Sequence, residues 1–148
     1  MPKIELESIE QTNAHGYPPE VAERMEGRWY RQLSGVAGIT DFGVSQVELA
    51  PGAWSAQRHW HESEDEFAVI ISGSAVLLDN DGETALTEGD CIAFPKNDGN
   101  GHCIVNKSES PCCFIVVGQI TNGQCHFPDI DVHDFGVHGK ARKDGTPY

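Results

Sequence analysis

The chain has 148 residues, and its 10 Lys and Arg stand against 23 Asp and Glu, which gives a formal net charge of −13. This length is enough to bury one hydrophobic core and predicts a single domain. The acidic balance argues against the basic patches that nucleic-acid binding requires and against an anionic membrane surface, so neither partner is expected.

In chain order, residues 1–41 predict an arm, a short helix and a first strand. Residues 1–18 are polar and interrupted by glycine and proline. The helix is expected to begin near Pro19, with proline and an acidic residue in its first turn, and to end at Gly27. Arg28 to Leu33 has the composition of a strand, Ser34-Gly35 predicts a turn, and Val36 to Asp41, with two glycines, is left unassigned.

Residues 42–120 form a series of short apolar runs separated by turn residues. The first run slips in its alternation at Gln46, which predicts a β-bulge. The segment from Asp79 to Gly82 is a strong hairpin signal. Six or more strands at this spacing predict an all-β antiparallel sandwich or barrel. The predicted strands are 42–49, 54–61, 67–71, 74–78, 84–86, 91–94, 102–106 and 112–120.

Residues 121–148 differ from this pattern. His126 to Val132 predicts an edge strand or a lid, and the polar segment 140–148 is expected to be loosely held unless a partner subunit binds it. A homodimer is predicted, because the arm around Trp29-Tyr30 and the tail from Gln124 would cover open sheet edges.

The cysteines and the N-terminal residues indicate the cellular compartment of the protein. Five cysteines make an odd number, Cys112 and Cys113 are adjacent, and no Cys-X-X-Cys pair occurs, so neither a disulfide framework nor a thiolate zinc site is expected. Residues 1–5 carry no apolar signal segment, and no apolar run is long enough to span a bilayer. The predicted compartment is the reducing cytoplasm.

A candidate metal site is formed by His59, His61, Glu66 and His102. On an extended backbone, His59 and His61 point to the same side and Trp60 to the other. Glu66 opens one apolar strand and His102 opens another. Three imidazoles and a carboxylate suit a divalent transition metal.

The alternative places these histidines as hydrogen-bonded or solvated residues at strand ends, with 62–66 as a solvated acidic loop. We adopt the loop interpretation for Glu62, Glu64 and Asp65. We do not adopt it for Glu66, because Glu66 abuts the apolar strand.

The pattern resembles the cupin superfamily over residues 42 to 118. Its first motif matches at Gly52, His59, His61, Glu66 and Gly73, with the first gap one residue longer than usual. Its second motif matches at Gly89, Pro95, His102 and Asn106, with the loop before the histidine two residues longer. The long loop and the ending 143–148 are similar to small bacterial cupins of no assigned activity.

This resemblance implies a double-stranded β-helix, or jelly-roll barrel, over 42–120, with 1–41 packing on it and 121–148 as an extension of the same domain. It implies that His59, His61, Glu66 and His102 coordinate one ion of iron, manganese, nickel, copper or zinc. The expected function is then a metal-dependent enzyme, a dioxygenase or an isomerase or lyase, acting on a small organic molecule. A non-catalytic protein that binds a sugar or organic acid, and a metal-free structural module, are the alternatives. Fold alone does not choose among them, and no acid or base outside the metal ligands is assigned.

The remaining candidates receive structural roles. Counting from His102, Ile104 and Asn106 face the ligand side, and Cys103 is expected to pack on the other side. Asn106 is expected to close a turn. The other aromatic and histidine side chains are predicted to be core or pocket wall (Trp54, Phe94), surface or lid (His126, His133, His138) and mobile arm (His15).

Overall fold

The structure is a computed structural model and describes residues 3–148, so Met1 and Pro2 of the predicted arm lie outside the described residues. Its secondary structure is mostly β, as predicted. The strands are β1 Arg28–Gln32, β2 Phe42–Leu49, β3 Trp60–His61, β4 Glu66–Ser72, β5 Ala75–Asp79, β6 Gly82–Leu86, β7 Cys91–Phe94, β8 Cys103–Val105, β9 Cys112–Gln119, β10 Cys125–His126, β11 His133–Asp134 and β12 Lys140–Ala141. The α-helices are α1 Pro19–Ala22 and α2 Leu33–Ala37, and the 3-10 turns are Leu6–Ser8, Glu23–Met25 and Gly136–His138.

Three antiparallel sheets build the molecule. A large sheet has the order β1-β2-β9-β4-β7, a second has the order β6-β5-β8, and a small sheet has the order β12-β11-β10-β3. Isolated bridges between His59 and His102 and between Trp54 and Val105 connect the segment before β3 to β8. These bridges join the second and small sheets into one layer. That layer and the large sheet form the two walls of the jelly-roll barrel.

The core lies between the large sheet and the β6-β5-β8 sheet. Inward positions alternate along the strands, as in β2, where Val47 and Leu49 are buried and Glu48 is exposed. Its buried residues are Val47, Leu49, Ala53, Ala68, Ile70, Ala75, Leu86, Ile92, Ile104, Cys112 and Phe114. None of the helices within residues 3–148 is long and apolar enough to cross a membrane.

Two local predictions were wrong. The bulge predicted at Gln46 is absent: β2 keeps an unbroken register with β1 and β9, and the irregularity lies between β4 and β9, from Ile70 to Ser72. Residues after Gln32 form α2 instead of a strand end and turn. Gly38, with φ of 71°, ends this helix in the left-handed conformation that glycine adopts without strain.

The tail from residue 121 packs on its own chain. The prediction of an edge strand or lid was wrong for His126, because β10 pairs with β3 on one side and with β11 on the other and so is an inner strand of the small sheet, beside the candidate site. The expectation of a loosely held end was wrong, because Arg142 forms ion pairs with Glu20 and Asp131, and the Tyr148 hydroxyl donates to the Gly16 carbonyl. The tail is therefore bound to the N-terminal arm.

Candidate metal centre

The three predicted histidines and Glu66 come together at one point. His59 and His102 exchange backbone hydrogen bonds of 3.1 and 2.9 Å, so they are cross-strand neighbours. His61 follows two residues later in β3, and Glu66 opens β4. The imidazole of His59 has its ring centroid 5.0 Å from the centroids of both His61 and His102. Trp60 faces away, as alternation predicts, and stacks on His126 at 4.1 Å.

Glu66 is the centre of this cluster. Its Oε2 lies 3.2 Å from His102 Nε2, 3.4 Å from His61 Nε2 and 3.9 Å from His59 Nε2. One donor atom each from His59, Glu66 and His102 lies within 4.8 Å of the others, a spacing that could hold a metal ion.

Backbone carbonyls orient two of the rings. His59 Nδ1 lies 2.9 Å from the Gln57 carbonyl, and His102 Nδ1 lies 3.0 Å from the Asn100 carbonyl. Because a carbonyl only accepts, each Nδ1 donates its proton to the carbonyl, and each Nε2 faces the Glu66 carboxylate. Phe94 also fixes His102 by stacking at 3.7 Å.

This donor set fits a cation. With each Nδ1 engaged by a carbonyl, the Nε2 atoms of His59 and His102 and the Glu66 carboxylate are the atoms available to coordinate an ion. Nδ1–H···O=C bonds of this kind are the usual outer support of metal-ligating histidines. The residues present therefore fit a divalent transition metal.

Burial sets the protonation of these groups. It lowers the pKa of His59 to about 4, so this imidazole is neutral. Burial alone would raise the pKa of Glu66, but the contacts with His102 and His61 hold it well below its usual range. Burial opposes the charged form of His61, yet the Cys125 thiol and Glu66 outweigh it and raise its pKa to about 11. A metal ion would have to displace that proton.

Glu64 is not the solvated loop residue that we predicted. Its side chain is only 22% exposed, and its Oε2 lies 3.6 Å from His61 Nδ1. Burial, assisted by repulsion from Glu66 and opposed by His61, raises its pKa to about 7. Gly118 makes this position available, because a Cβ there would lie 2.6 Å from Glu64 Oε1. With His61 and Glu66, Glu64 forms a second group that could hold a metal ion.

A row of polar side chains crosses the small sheet, and sequence reasoning missed three of its four members. In register, His61 pairs with Cys125, Cys125 with Asp134, and Asp134 with Lys140, so the four share one face of this sheet. Cys125 Sγ lies within 4.8 Å of donor nitrogens of His59 and His61. The Lys140 ammonium lies 3.2 Å from Asp134 Oδ2. Strands of two residues carry no readable periodicity, so only the alternation around His59 and His61 was visible beforehand.

These groups border one cavity of about 260 Å³. Its volume is near the lower end for small-molecule sites. The metal-site cluster forms part of the wall, and the row Cys125, Asp134 and Lys140 forms another part. The remaining wall residues are Tyr17, Arg28, Val47, Ser55, Ala56, Ala68, Phe94, Cys103, Ile104, Phe114, Val116 and Phe127.

The other candidates have the following positions. Asn106 is fully buried and closes the turn after β8, as predicted, by bonding Leu49, Ser108 and Ser110. Cys103 is buried, and it borders the cavity although alternation placed it on the far side. Outside the cavity, His126 stacks on Trp60 and meets His133 edge-on, and His15 contacts Tyr17 in the arm.

The chain is similar in sequence and in structure to known proteins. A family model for the cupin domain matches residues 45–118. A sugar phosphate isomerase of the cupin superfamily from Silicibacter pomeroyi is 40% identical and superposes with a TM-score of 0.92, covering 99% of this chain and 96% of that one.

Two more distant structures support the fold alone. A putative sugar phosphate isomerase from Acidithiobacillus ferrooxidans is 22% identical, with a TM-score of 0.68 over 79% of this chain and 83% of that one. The polyketide cyclase RemF from Streptomyces resistomycificus is 19% identical, with a TM-score of 0.66 over 80% and 79%. No curated protein matches this chain. The matched domain model and the 40% identical relative together show that the chain belongs to the cupin superfamily.

Proposed function

We propose that the chain is a metal-dependent isomerase acting on a small hydroxy-carbonyl compound. The observation that carries the proposal is the convergence of His59, His61, His102 and Glu66 on the wall of a ligand-sized cavity. These four residues would hold one divalent ion of iron, manganese, nickel, copper or zinc. Such an ion, when bound, polarises a carbonyl oxygen and so acidifies the neighbouring C–H bond.

The reaction class is supported by the 40% identical relative, whose name is sugar phosphate isomerase. Isomerisation moves a proton from the carbon beside a carbonyl to the carbonyl carbon, with a matching proton shift between the two oxygens. It consumes no oxidant and releases no second product. The site therefore needs a metal and one group that carries a proton.

Asp134 is our candidate for that proton carrier. It lines the cavity on the same sheet face as His61. The two residues are on strands β11 and β3, which are separated by β10, so their backbones are roughly 10 Å apart. That spacing leaves room for a small substrate between the metal and the carboxylate. The Lys140 ammonium lies 3.2 Å from Asp134 Oδ2, and the Gly136 amide donates to Oδ1 at 3.0 Å, so both oxygens of the carboxylate are held in place. Glu66 is not available, because it is a proposed ligand.

The test is solvent deuterium incorporation. Aldose phosphates of three to six carbons and the corresponding free sugars are incubated in D₂O with the metal-loaded protein, and NMR follows isomerisation and deuterium at the carbon beside the carbonyl. Asp134→Asn is expected to slow turnover by about 10²- to 10⁴-fold while metal content stays unchanged. Asp131→Asn is the control, because Asp131 contacts Arg142 at the surface.

Other outcomes would contradict the proposal. Oxygen consumption with organic substrates would indicate the dioxygenase instead. Tight binding of a sugar or acid without turnover would indicate a binding protein. Protein free of metal after purification without an affinity tag, and unable to bind one, would remove the metal-dependent enzyme altogether.

We also propose a homodimer, formed through the outer face of the large sheet. This face carries Phe67 and Ile71 from β4, which are 43% and 46% exposed, and Trp29 from β1, which is 41% exposed. The arm and tail, the surfaces suggested by the sequence, pack on their own chain instead, as the backbone pairing of Thr12 with Tyr30 illustrates. Sedimentation should show a dimer that Phe67→Glu shifts to monomer, and an unchanged species would refute this surface.

The cytoplasm is the proposed compartment. All five cysteines are unpaired, three of them buried, which is the state that a reducing environment maintains. Cell fractionation would test this assignment, and recovery of the protein from an oxidising compartment would contradict it.

A further inference from the structure

Arg28 is a cation of the cavity wall without an anionic partner. Within residues 3–148, no carboxylate oxygen lies within 4.0 Å of its guanidinium, in contrast to Arg31, Arg58 and Arg142. Among the described residues, the only hydrogen-bond partner of its side chain is the Ala14 carbonyl, which lies 3.5 Å from Nη1. Its Nε is buried and has no hydrogen-bond partner in the part of the chain that the structure describes. The guanidinium lies over the Tyr30 ring, 4.6 Å from the centroid.

This arrangement is unfavourable for the empty protein. Burial lowers the pKa of Arg28, which reports that the charged form has lost solvation. Buried charges and buried N–H donors are normally paired, and leaving them unpaired destabilises the folded state. Contact with an aromatic face compensates only in part. A guanidinium in this condition is well suited to bind an oxyanion, because its fork of donors matches phosphate and carboxylate.

The position of Arg28 connects it to the proposed reaction. It borders the same cavity as His59, His61, Glu66 and His102. Tyr17 also borders it and accepts a 3.3 Å hydrogen bond from the Gln57 amide, which leaves the hydroxyl proton of Tyr17 to be donated. The other cation of the wall, Lys140, already has Asp134 as its partner. Arg28 is therefore the one uncompensated cation among the described residues that line this cavity.

We propose that Arg28, assisted by the Tyr17 hydroxyl, binds the phosphate group of a phosphorylated substrate whose carbonyl end lies at the metal centre. The proposal rests on the proposed function, because it assigns the substrate's two ends to two groups of residues that line the same cavity. Arg28 acts here in binding and specificity, with no part in the proton transfer. Selectivity for phosphorylated over neutral sugars follows, because a neutral substrate would leave the guanidinium unpaired.

The test uses inorganic phosphate as the probe and thermal unfolding as the readout. At ten times its dissociation constant, phosphate is expected to raise the Tm of the metal-loaded wild type by roughly 3–6 °C. Arg28→Gln and Arg28→Met should bind phosphate about 10- to 100-fold more weakly. Arg31→Gln is the matched control, because Arg31 lies on the same strand and bonds Ile9 and Gln46 outside the cavity. Acetate at equal ionic strength distinguishes a phosphate site from a carboxylate site.

Arg28→Met also separates binding from a structural role. Removing an unpaired buried charge should leave the Tm without phosphate unchanged or higher, whereas a structural arginine would give a lower Tm. Phosphate that stabilises Arg28→Met as much as wild type would be bound by the metal, and would overturn the proposal. Acetate that raises the Tm as much as phosphate does would also overturn the proposal. So would the absence of any Tm increase for the wild type at a phosphate concentration 20 times the KM of its substrate.

The two proposals fail separately. Phosphate binding that depends on Arg28, without isomerisation of any substrate, would leave this subsite in place and remove the isomerase. Isomerisation of free sugars as fast as sugar phosphates, unaffected by Arg28→Gln, would keep the isomerase and remove the subsite.

Discussion

Replacing Asn106 by alanine should destabilise the fold without removing the metal site. The side chain is fully buried, and its Nδ2 donates to the carbonyls of Leu49 at 2.9 Å and Ser110 at 2.8 Å. Its Oδ1 accepts from the amide and the hydroxyl of Ser108, at 3.0 and 2.7 Å. Asn106 thus connects β2 to the turn between β8 and β9.

The magnitude follows from these four bonds. Each contributes about 1 kcal/mol net, and water can reach the partly exposed Ser108 and Ser110 groups but not the Leu49 carbonyl. Asn106→Ala should therefore lower the free energy of unfolding by about 3–4 kcal/mol, which corresponds to a Tm decrease of roughly 6–16 °C. Urea denaturation and calorimetry measure the loss, and titration of metal into the folded variant measures retained binding.

Asn122→Ala serves as the control, because Asn122 is exposed and its side chain makes no hydrogen bond within residues 3–148. It should change stability by less than 0.5 kcal/mol, as surface substitutions usually do. An Asn106→Ala variant with wild-type stability but altered ligand or metal binding would refute the reasoning and would indicate that Asn106 contacts a ligand.

Three further predictions concern the metal, the tail and two motif glycines. Removal of the metal by dialysis against a chelator should lower the Tm. The free energy of unfolding should fall by about 2.7 kcal/mol relative to protein kept at a metal concentration 100 times the dissociation constant, and His102→Ala should abolish this difference. A Tm that does not depend on metal would contradict the site. Asp129 donates no proton but accepts two bonds from Arg58, at 2.7 and 2.8 Å, which hold its pKa below the usual range. Its contribution, about 1 kcal/mol for a partly exposed pair, is present at pH 6 and is lost as the pH falls through the lowered pKa of Asp129, so wild type and Asp129→Asn should differ in stability at pH 6 and converge at a pH below that pKa. Gly73→Ala should lower the free energy of unfolding by about 3 kcal/mol or more, because φ is 76° and the new Cβ would lie 2.4 Å from the Pro111 carbonyl oxygen. Gly52→Ala, where φ is 83° and the space around the Cβ is open, should lower it by only about 1–2 kcal/mol, as measured by urea denaturation. Equal losses would show that the close contact at Gly73 relaxes.

The barrel and the metal-site cluster could be predicted because local pattern determines them. Strands such as β2 and β7 are long enough for alternation and turn residues to define their limits. His59 and His61 share a face on any extended backbone, and a glutamate at the head of a buried strand lies at the barrel rim. His102 opens another apolar run, and the resemblance of the His102-to-Asn106 spacing to the second cupin motif assigned this histidine to the same site.

Other features depend on packing between distant segments, and no local pattern reports them. Cys125 and Asp134 enter the cavity from strands of two residues, too short to show a period, and only their pairing with β3 aligns them with His61. Glu64 belongs to an acidic run that would be solvated by itself, but the open space over Gly118 receives its side chain.

Arg28 also combines a feature that the sequence predicts with one that depends on packing between distant segments. The sequence by itself identifies a strand residue with a positive charge, which most often lies at the surface. Only the tertiary structure, by packing the arm from Ala14 to Tyr17 beside β1, buries Arg28 Nε without a partner among the described residues and places the side chain at the cavity wall. Periodicity reports which face of a strand is covered, whereas the identity of what covers it is decided by contacts between segments that are far apart in the chain.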